Sequence, residues 1–170
     1  AGHSLALGSL SAGLVVVLAT VMVLGVRKIS GAWKKSLLTL TTLGYAFPGA
    51  VLGLGILIPL AAFDNWLADL FFATFRLDPG LLLTGTAGAL IIAYCVRFFA
   101  IGVGAAEAGL AAISTNIPLA ASTLGHPPRD VVLNIYQPLM RGSLASAMVL
   151  VFVDTVKELP ATLLLRPFNF

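Results

Sequence analysis

Long apolar runs constrain this chain more than any other feature of its sequence. Leu5 to Val26 is a run of 22 residues without a charged side chain. A helix needs about 20 apolar residues to cross the hydrocarbon core of a bilayer. The 170 residues are 59% hydrophobic and only 10% charged, whereas a soluble domain carries about 25% charged residues. The sequence therefore predicts an all-α membrane protein, a polytopic helix bundle with about four membrane segments.

The basic residues predict how this bundle lies in the membrane. Arg27, Lys28, Lys34 and Lys35 crowd the short loop that follows the first apolar run. Because short cytoplasmic loops carry an excess of Lys and Arg, loop 27–36 is predicted to be cytoplasmic and the N-terminus periplasmic. No basic patch typical of nucleic-acid binding is present in the sequence.

The second segment, Leu37 to Ala62, contains breakers and small residues. Pro48 predicts a bend or a joint between two helical pieces. Gly49 and Gly53 have a spacing that permits close approach of membrane helices, although small residues are common in any membrane bundle. The following stretch, Phe63 to Gly80, is rich in aspartate, with Asp64, Asp69 and Asp78. We expect it on the outer face, as an interfacial helix.

The third segment, Leu81 to Ala106, carries one arginine. Arg97 lies sixteen residues along it, or about 24 Å at the helical rise, which places it near the cytoplasmic end. There its guanidinium can reach water or headgroups. We expect this role for Arg97 rather than contact with a substrate, and we expect the chain to be cytoplasmic over residues 107–138.

A polar interruption from Asn116 to Arg141 predicts two short helices joined by a tight turn. Pro118 fits the first turn of a helix, where its missing N–H costs nothing. Gly125 supplies a stop signal, and a second helix can begin at Pro128. Pro138 removes one backbone hydrogen bond and is expected to kink the chain.

The last segment combines a short apolar run with charges. Leu144 to Val153 is only ten residues, or about 15 Å of helix, which crosses half of a core of about 30 Å. Asp154, Lys157 and Glu158 follow, on one face where Lys157 can pair with either acid. Pro160 then interrupts the helix. Because charges at membrane depth usually face a bundle interior or a wet cavity, these four residues are candidates for lining a pathway. A solvated loop at the outer surface is the alternative.

The polar interruption also resembles a known signature. Inner-membrane subunits of ATP-binding-cassette importers carry Glu-Ala-Ala, three residues, Gly, nine residues and then Ile-x-Leu-Pro. The residues of this chain that fall on that spacing are Ala120, Ala121, Gly125, Ile135 and Pro138. Leu119 stands where the family has Glu, and Gln137 where it has Leu. The flanking stretches, IIAYCVRFFAIGVG and VFVDTVKELPATLLLRPFNF, look like the ferric-iron branch of these permeases.

The resemblance implies a type I importer permease in the bacterial inner membrane, with residues 1–170 forming a single, incomplete transmembrane domain. Its loop 116–138 would couple to a cytoplasmic ATPase subunit through Leu119, Ala120, Ala121, Leu124, Gly125, Val132, Ile135, Tyr136 and Pro138. Further partners would be a periplasmic substrate-binding protein, a second permease half or copy, and the lipid bilayer. Because the family usually continues into at least one more membrane helix, we expect a fragment from the C-terminal half of a longer permease.

The sequence contains no catalytic constellation. It has no Gly-Lys dipeptide and so no Walker-type phosphate loop. No group of His or Cys residues has the spacing of metal ligands. We therefore expect no enzymatic activity, no metal site and no cofactor in this chain, and ATP with Mg²⁺ would be bound by the partner subunit. The alternative is a secondary transporter driven by an ion gradient, because broken helices and midplane charges occur there too.

Overall fold

The computed structural model describes residues 2–27, 29, 31–76, 80 and 82–165. Lys28, Asp78, Leu81 and residues 166–170, which figure in the predictions above, lie outside the described residues. The described part contains helices and no β-strand, which confirms the predicted all-α class. The helices are α1 (Gly2–Val26), α2 (Ala32–Ala46), α3 (Gly49–Phe75), α4 (Ala87–Ala111), α5 (Asn116–Thr123), α6 (Pro128–Val131), α7 (Gln137–Lys157) and α8 (Pro160–Leu165), with a π-helical turn, Val132–Tyr136, before α7.

Four helical stretches of the described chain are long and apolar enough to cross a membrane. They are Ser4–Val26, Gly49–Thr74, Ala87–Ala111 and Pro128–Lys157. Their number agrees with the four segments predicted from the apolar runs. The fold is thus a polytopic helix bundle.

Helix α4 is the centre of the bundle and packs against both α1 and α7. Two clusters of buried side chains lie along it. One cluster is formed by Ala12, Val15, Leu90, Tyr94, Phe98 and Val151 with their neighbours, and the other by Ala19, Val23, Val103, Leu110 and Met140 with theirs. The second cluster joins the later residues of α1 and α4 to the first turns of α7. Helices α1 and α4 therefore run parallel, and α7 runs antiparallel to both.

The predicted joint at Pro48 is confirmed. Helix α2 ends at Ala46, Phe47 and Pro48 are extended, and α3 begins at Gly49. Proline disfavours the helical conformation of the residue before it and lacks the N–H that would continue the helix. The second segment is therefore made of two helical pieces.

The prediction of a separate interfacial helix within Phe63 to Gly80 is wrong. Helix α3 continues without a break to Phe75, so most of this stretch extends the preceding helix. The reason is local, because no glycine or proline lies between Pro59 and Pro79 to end the helix.

Helix α7 is longer than its apolar run suggested. It spans 21 residues, Gln137–Lys157, or about 31 Å, because polar residues at both ends of the run adopt helical conformation. The prediction of a helix that crosses only half of the core is therefore wrong. The predicted interruption at Pro160 is confirmed, since α7 ends at Lys157 and α8 begins at Pro160.

Candidate functional site

The site is a charged junction at which two broken helices meet the middle of α4. Arg97 lies ten residues after the start of α4 at Ala87, or about 15 Å along the helix. The prediction that Arg97 reaches headgroups at the helix end is wrong, because the helix starts later than the apolar run. Its side chain is 17% exposed, so the guanidinium is enclosed by the chain itself.

Arg97 contacts both helix breaks. Its Nε donates a hydrogen bond of 2.9 Å to Oε2 of Glu158, with which it forms an ion pair. Its Nη1 donates one of 2.7 Å to the carbonyl oxygen of Phe47. The guanidinium carbon also lies 5.8 Å from the ring centroid of Phe98. One side chain of α4 thus connects the α2–α3 break with the α7–α8 break.

The position of this cation follows from the ends of the two helices. Phe47 is the C-cap residue of α2 and Glu158 that of α7. A helix C-terminus carries partial negative charge and leaves carbonyl groups without partners, so a cation is favourable there. Arg97 neutralises Glu158 and satisfies a carbonyl group that the break at Pro48 would leave unpaired.

The predicted pairing of Lys157 with a neighbouring acid is wrong. Glu158 has extended backbone angles (φ −77°, ψ 95°), so its side chain leaves the helical spacing on which that prediction depended. It turns to Arg97 instead and is only 9% exposed. Lys157 is exposed and Asp154 half-buried, and in the described part of the chain neither has an ion-pair partner within 4.0 Å.

A third helix end, the start of α3, adjoins the same carboxylate. A Cβ atom added to Gly49 would collide with Oε1 of Glu158 and lie 3.5 Å from Cζ of Arg97. Only glycine therefore permits this approach. Oε1 is buried without a hydrogen-bond partner among the described residues, and the N-terminal end of a helix favours negative charge. Gly53, one turn later, lies against Leu164 of α8, which favours close packing as the reason for this pair of glycines.

Hydroxyl groups hold α8 in place beside the junction. The Tyr94 hydroxyl of α4 lies 2.6 Å from that of Thr162. The Thr162 hydroxyl in turn donates to the carbonyl oxygen of Glu158. These bonds connect the first turn of α8, which begins at Pro160, to α4 and to the backbone of Glu158.

The helix pair at the other end of α7 has the predicted order. Helix α5 ends in a turn where the N–H groups of Gly125 and His126 donate to the carbonyl oxygens of Ser122 and Ala121. Gly125 has a φ of 84°, which a side chain would disfavour. Helix α6 then begins at Pro128. The predicted helices and the tight turn between them are confirmed.

The predicted coupling residues differ in their exposure. Leu119 and Leu124 are 62% and 79% exposed, and a groove of about 310 Å³ lies between α5 and the following helix. The other exposed members are Ala120, Gly125 and Pro138, whereas Val132, Ile135 and Tyr136 are half-buried and Ala121 is buried. An incoming protein would therefore meet the leucines first.

A π-helical turn lies just before Pro138, the residue at which the sequence predicted a kink. This turn, Val132–Tyr136, precedes α7, and the helix then continues through Pro138. A proline ring clashes with the carbonyl four residues earlier, here that of Asn134. The wider π turn contains Asn134 and accommodates the proline without ending the helix.

Sequence reasoning missed Arg97, Gly49 and Tyr94 as parts of the junction. One signal was available for Arg97, because charged residues inside membrane segments usually pair with one another. Glu158 was the acidic residue next to a predicted break. For Gly49 and Tyr94 the contacts depend on tertiary packing, which the spacing did not reveal.

The architecture described above is that of an all-α polytopic membrane protein. The chain is similar to the putative ferric transport system permease protein FbpB 1 of Haemophilus influenzae, with 33% identity over 132 residues. It is also similar to the ferric transport system permease protein FbpB of Actinobacillus pleuropneumoniae, with 30% identity. These similarities confirm the resemblance to the ferric-iron branch of importer permeases.

The similarity covers most of this chain but a small part of each relative. It includes 78% of this chain, and 18% and 17% of the two relatives. The chain thus spans less than a fifth of the length of the curated relatives it matches. No family model matches the chain.

Proposed function

We propose that the chain is part of the permease subunit of an ATP-driven, binding-protein-dependent importer for ferric iron. The observation that carries this proposal is the similarity to two ferric transport permeases over 78% of the chain. The helix pair, which matches the spacing of the importer signature, supports it. ATP and Mg²⁺ would be bound by a separate ATPase subunit.

The helix pair of α5 and α6 would dock into a groove of that ATPase. An apolar helix face laid into a groove is a common mode of recognition, and Leu119 and Leu124 are accessible for it. The helical stretch Pro128–Lys157 runs from this pair to the junction. Movement of the docked end would therefore reach Glu158 at the other end of the same helix.

Asp154, Lys157, Glu158 and Pro160 would line or gate the translocation pathway. Broken helices at membrane depth are tolerated where protein or a water-filled cavity satisfies the backbone. The ion pair of Glu158 with Arg97, near the middle of α4, supports a location within the membrane. Ferric iron would pass here as cargo.

The remaining partners follow from the same assignment. A periplasmic binding protein would deliver the substrate, and a second permease half or copy would complete the pathway. In the inner membrane, loops 27–36 and 107–138 would face the cytoplasm and the N-terminus the periplasm, as the basic residues favour.

Uptake by proteoliposomes tests this proposal. The full-length permease is reconstituted with its ATPase subunit and binding protein, and entry of radioactive ferric iron is followed. We expect uptake that requires ATP and persists when ionophores collapse the ion gradients. Uptake that is driven by an ion gradient without ATP would contradict the proposal and favour a secondary transporter.

A further inference from the structure

The contacts of Arg97 go beyond the residues that the importer assignment singles out. Arg97 bonds at once to Glu158 after α7 and to Phe47 after α2. Both partners lie at breaks in the helices, whereas α4 itself continues unbroken from Ala87 to Ala111. The arginine thus joins two interrupted elements to a continuous one.

Stability alone is a poor explanation of this arrangement. A charge near the middle of a membrane helix is costly, and it is usually found where function requires it. A buried ion pair often contributes no more to stability than apolar residues of the same size. Arg97 is also more than a counter-ion of Glu158, because its hydrogen bond to Phe47 connects the ion pair to the α2–α3 break.

We propose that Arg97 is a positioning residue of the transport cycle, which holds the two helix breaks together and keeps the pathway closed until α7 withdraws Glu158. This inference rests on the proposed function, because it assigns Arg97 to the same pathway. The section of α4 around Arg97 is the fixed part, and Glu158 is the part that moves.

The geometry makes such a release mechanically simple. The Arg97–Glu158 bond of 2.9 Å would exceed hydrogen-bonding distance after a displacement of about 1 Å. Glu158 follows directly on α7, so an axial shift of that helix moves the carboxylate relative to α4. The π-helical turn at Val132–Tyr136 lies between the docking helices and α7. Such irregular turns are frequent at functional sites.

Gly49 offers a way to disturb the junction without removing a charge. A methyl group there would collide with the Glu158 carboxylate and push it from Arg97. Gly55 lies in the same helix, and a Cβ atom added to it meets nothing within 4 Å. Gly49→Ala and Gly55→Ala therefore form a matched pair of test and control.

The test uses the full-length permease with its ATPase subunit in proteoliposomes loaded with rubidium ions. Efflux of rubidium without ATP reports a pathway that is no longer closed. ATP hydrolysis without binding protein reports ATPase activity that the binding protein no longer controls. We expect Arg97→Gln, Glu158→Gln and Gly49→Ala each to raise efflux about fivefold or more, the usual size of coupling between sites. Arg97→Lys should give an intermediate rise, since an ammonium group keeps the charge but not the fork geometry.

The double variant Arg97→Gln with Glu158→Gln should leak no more than Arg97→Gln alone, because that substitution already removes the contact with Glu158. Gly55→Ala should behave as the native protein. If all variants release rubidium at the rate of the native protein, whatever their thermal stability, the proposed role of Arg97 is overturned and Arg97 is a structural contact. Failure of ATP-dependent iron uptake by the native protein would instead contradict the importer assignment, and the efflux comparison would still decide whether Arg97 closes a pathway.

Discussion

Nη1 of Arg27 donates a hydrogen bond of 2.7 Å to the hydroxyl of Tyr136, although 109 positions separate them in the sequence. The guanidinium also lies 5.3 Å from the centroid of the tyrosine ring. Arg27 directly follows α1, and Tyr136 belongs to the π-helical turn before α7. The bond therefore places the basic loop and the helix pair at the same end of the bundle, as their common cytoplasmic prediction requires.

Removing this contact should destabilise the end of the bundle by a modest amount. Tyr136→Phe loses the hydrogen bond, which is worth about 1 kcal/mol. Arg27→Ala also loses the contact of the cation with the ring, worth about 0.5 kcal/mol more at an exposed site. The free energy of unfolding in detergent should rank the variants in that order. Arg129→Ala, at an exposed arginine of the helix pair, serves as the control, and an equal loss there would contradict the assignment.

Asp64 anchors the turn that precedes α4. The residue is 1% exposed, and its carboxylate accepts hydrogen bonds from the backbone N–H groups of Leu83 (3.0 Å) and Thr84 (2.5 Å). Asp64→Ala would leave both donors without this acceptor, at a cost of about 2 kcal/mol or more. Asp64→Asn keeps one oxygen acceptor and should cost less.

Thermal unfolding and limited proteolysis between α3 and α4 measure the Asp64 effect. The control is Asp69→Asn, an exposed aspartate of the same helix, which should change neither. Equal sensitivity of the two aspartates would show that the hydrogen bonds to the turn contribute little.

Close packing of α1 on α4 depends on Gly102. A Cβ atom there would lie 2.8 Å from Cγ1 of Val15 and 2.9 Å from Cβ of Ala19, so one of the helices must shift. We expect Gly102→Ala to lower stability by about 1–3 kcal/mol through overpacking. Gly104→Ala, in open space two residues later, should be neutral. A neutral Gly102→Ala would mean that the helices separate easily at this point.

The helix boundaries were largely readable from the sequence because local chemistry sets them. Pro48, Gly125 and Pro160 each mark a break or a turn that the structure contains. These residues act through their own backbone angles and missing donor groups, which do not depend on the rest of the chain. The lengths of the helices were less predictable, since α3 and α7 continue through polar residues that have no helix-breaking effect.

The side-chain contacts at the junction could not be predicted from the sequence in the same way. Helical spacing predicted that Lys157 pairs with Asp154 or Glu158 only as long as all three residues belonged to one helix. Once α7 ends at Lys157, the partner of Glu158 depends on which helix packs nearby, and that helix carries Arg97. Tertiary packing of α4 against two breaks is therefore the information that spacing lacked.

The helix pair is proposed to dock on a separate ATPase subunit, and co-purification of the two proteins tests this docking. Gly125 and Gly31 have φ angles of 84° and 83°, and neither has an atom within 4 Å of an added Cβ. Valine at either position strains the backbone by about 1–3 kcal/mol, but only Gly125→Val distorts the helix pair. The native full-length permease and Gly31→Val should capture the ATPase subunit of the same transport system from detergent solution, and Gly125→Val should capture it about tenfold less well. Absence of capture by the native permease, or equal capture by Gly125→Val, would contradict docking of the ATPase subunit on the helix pair.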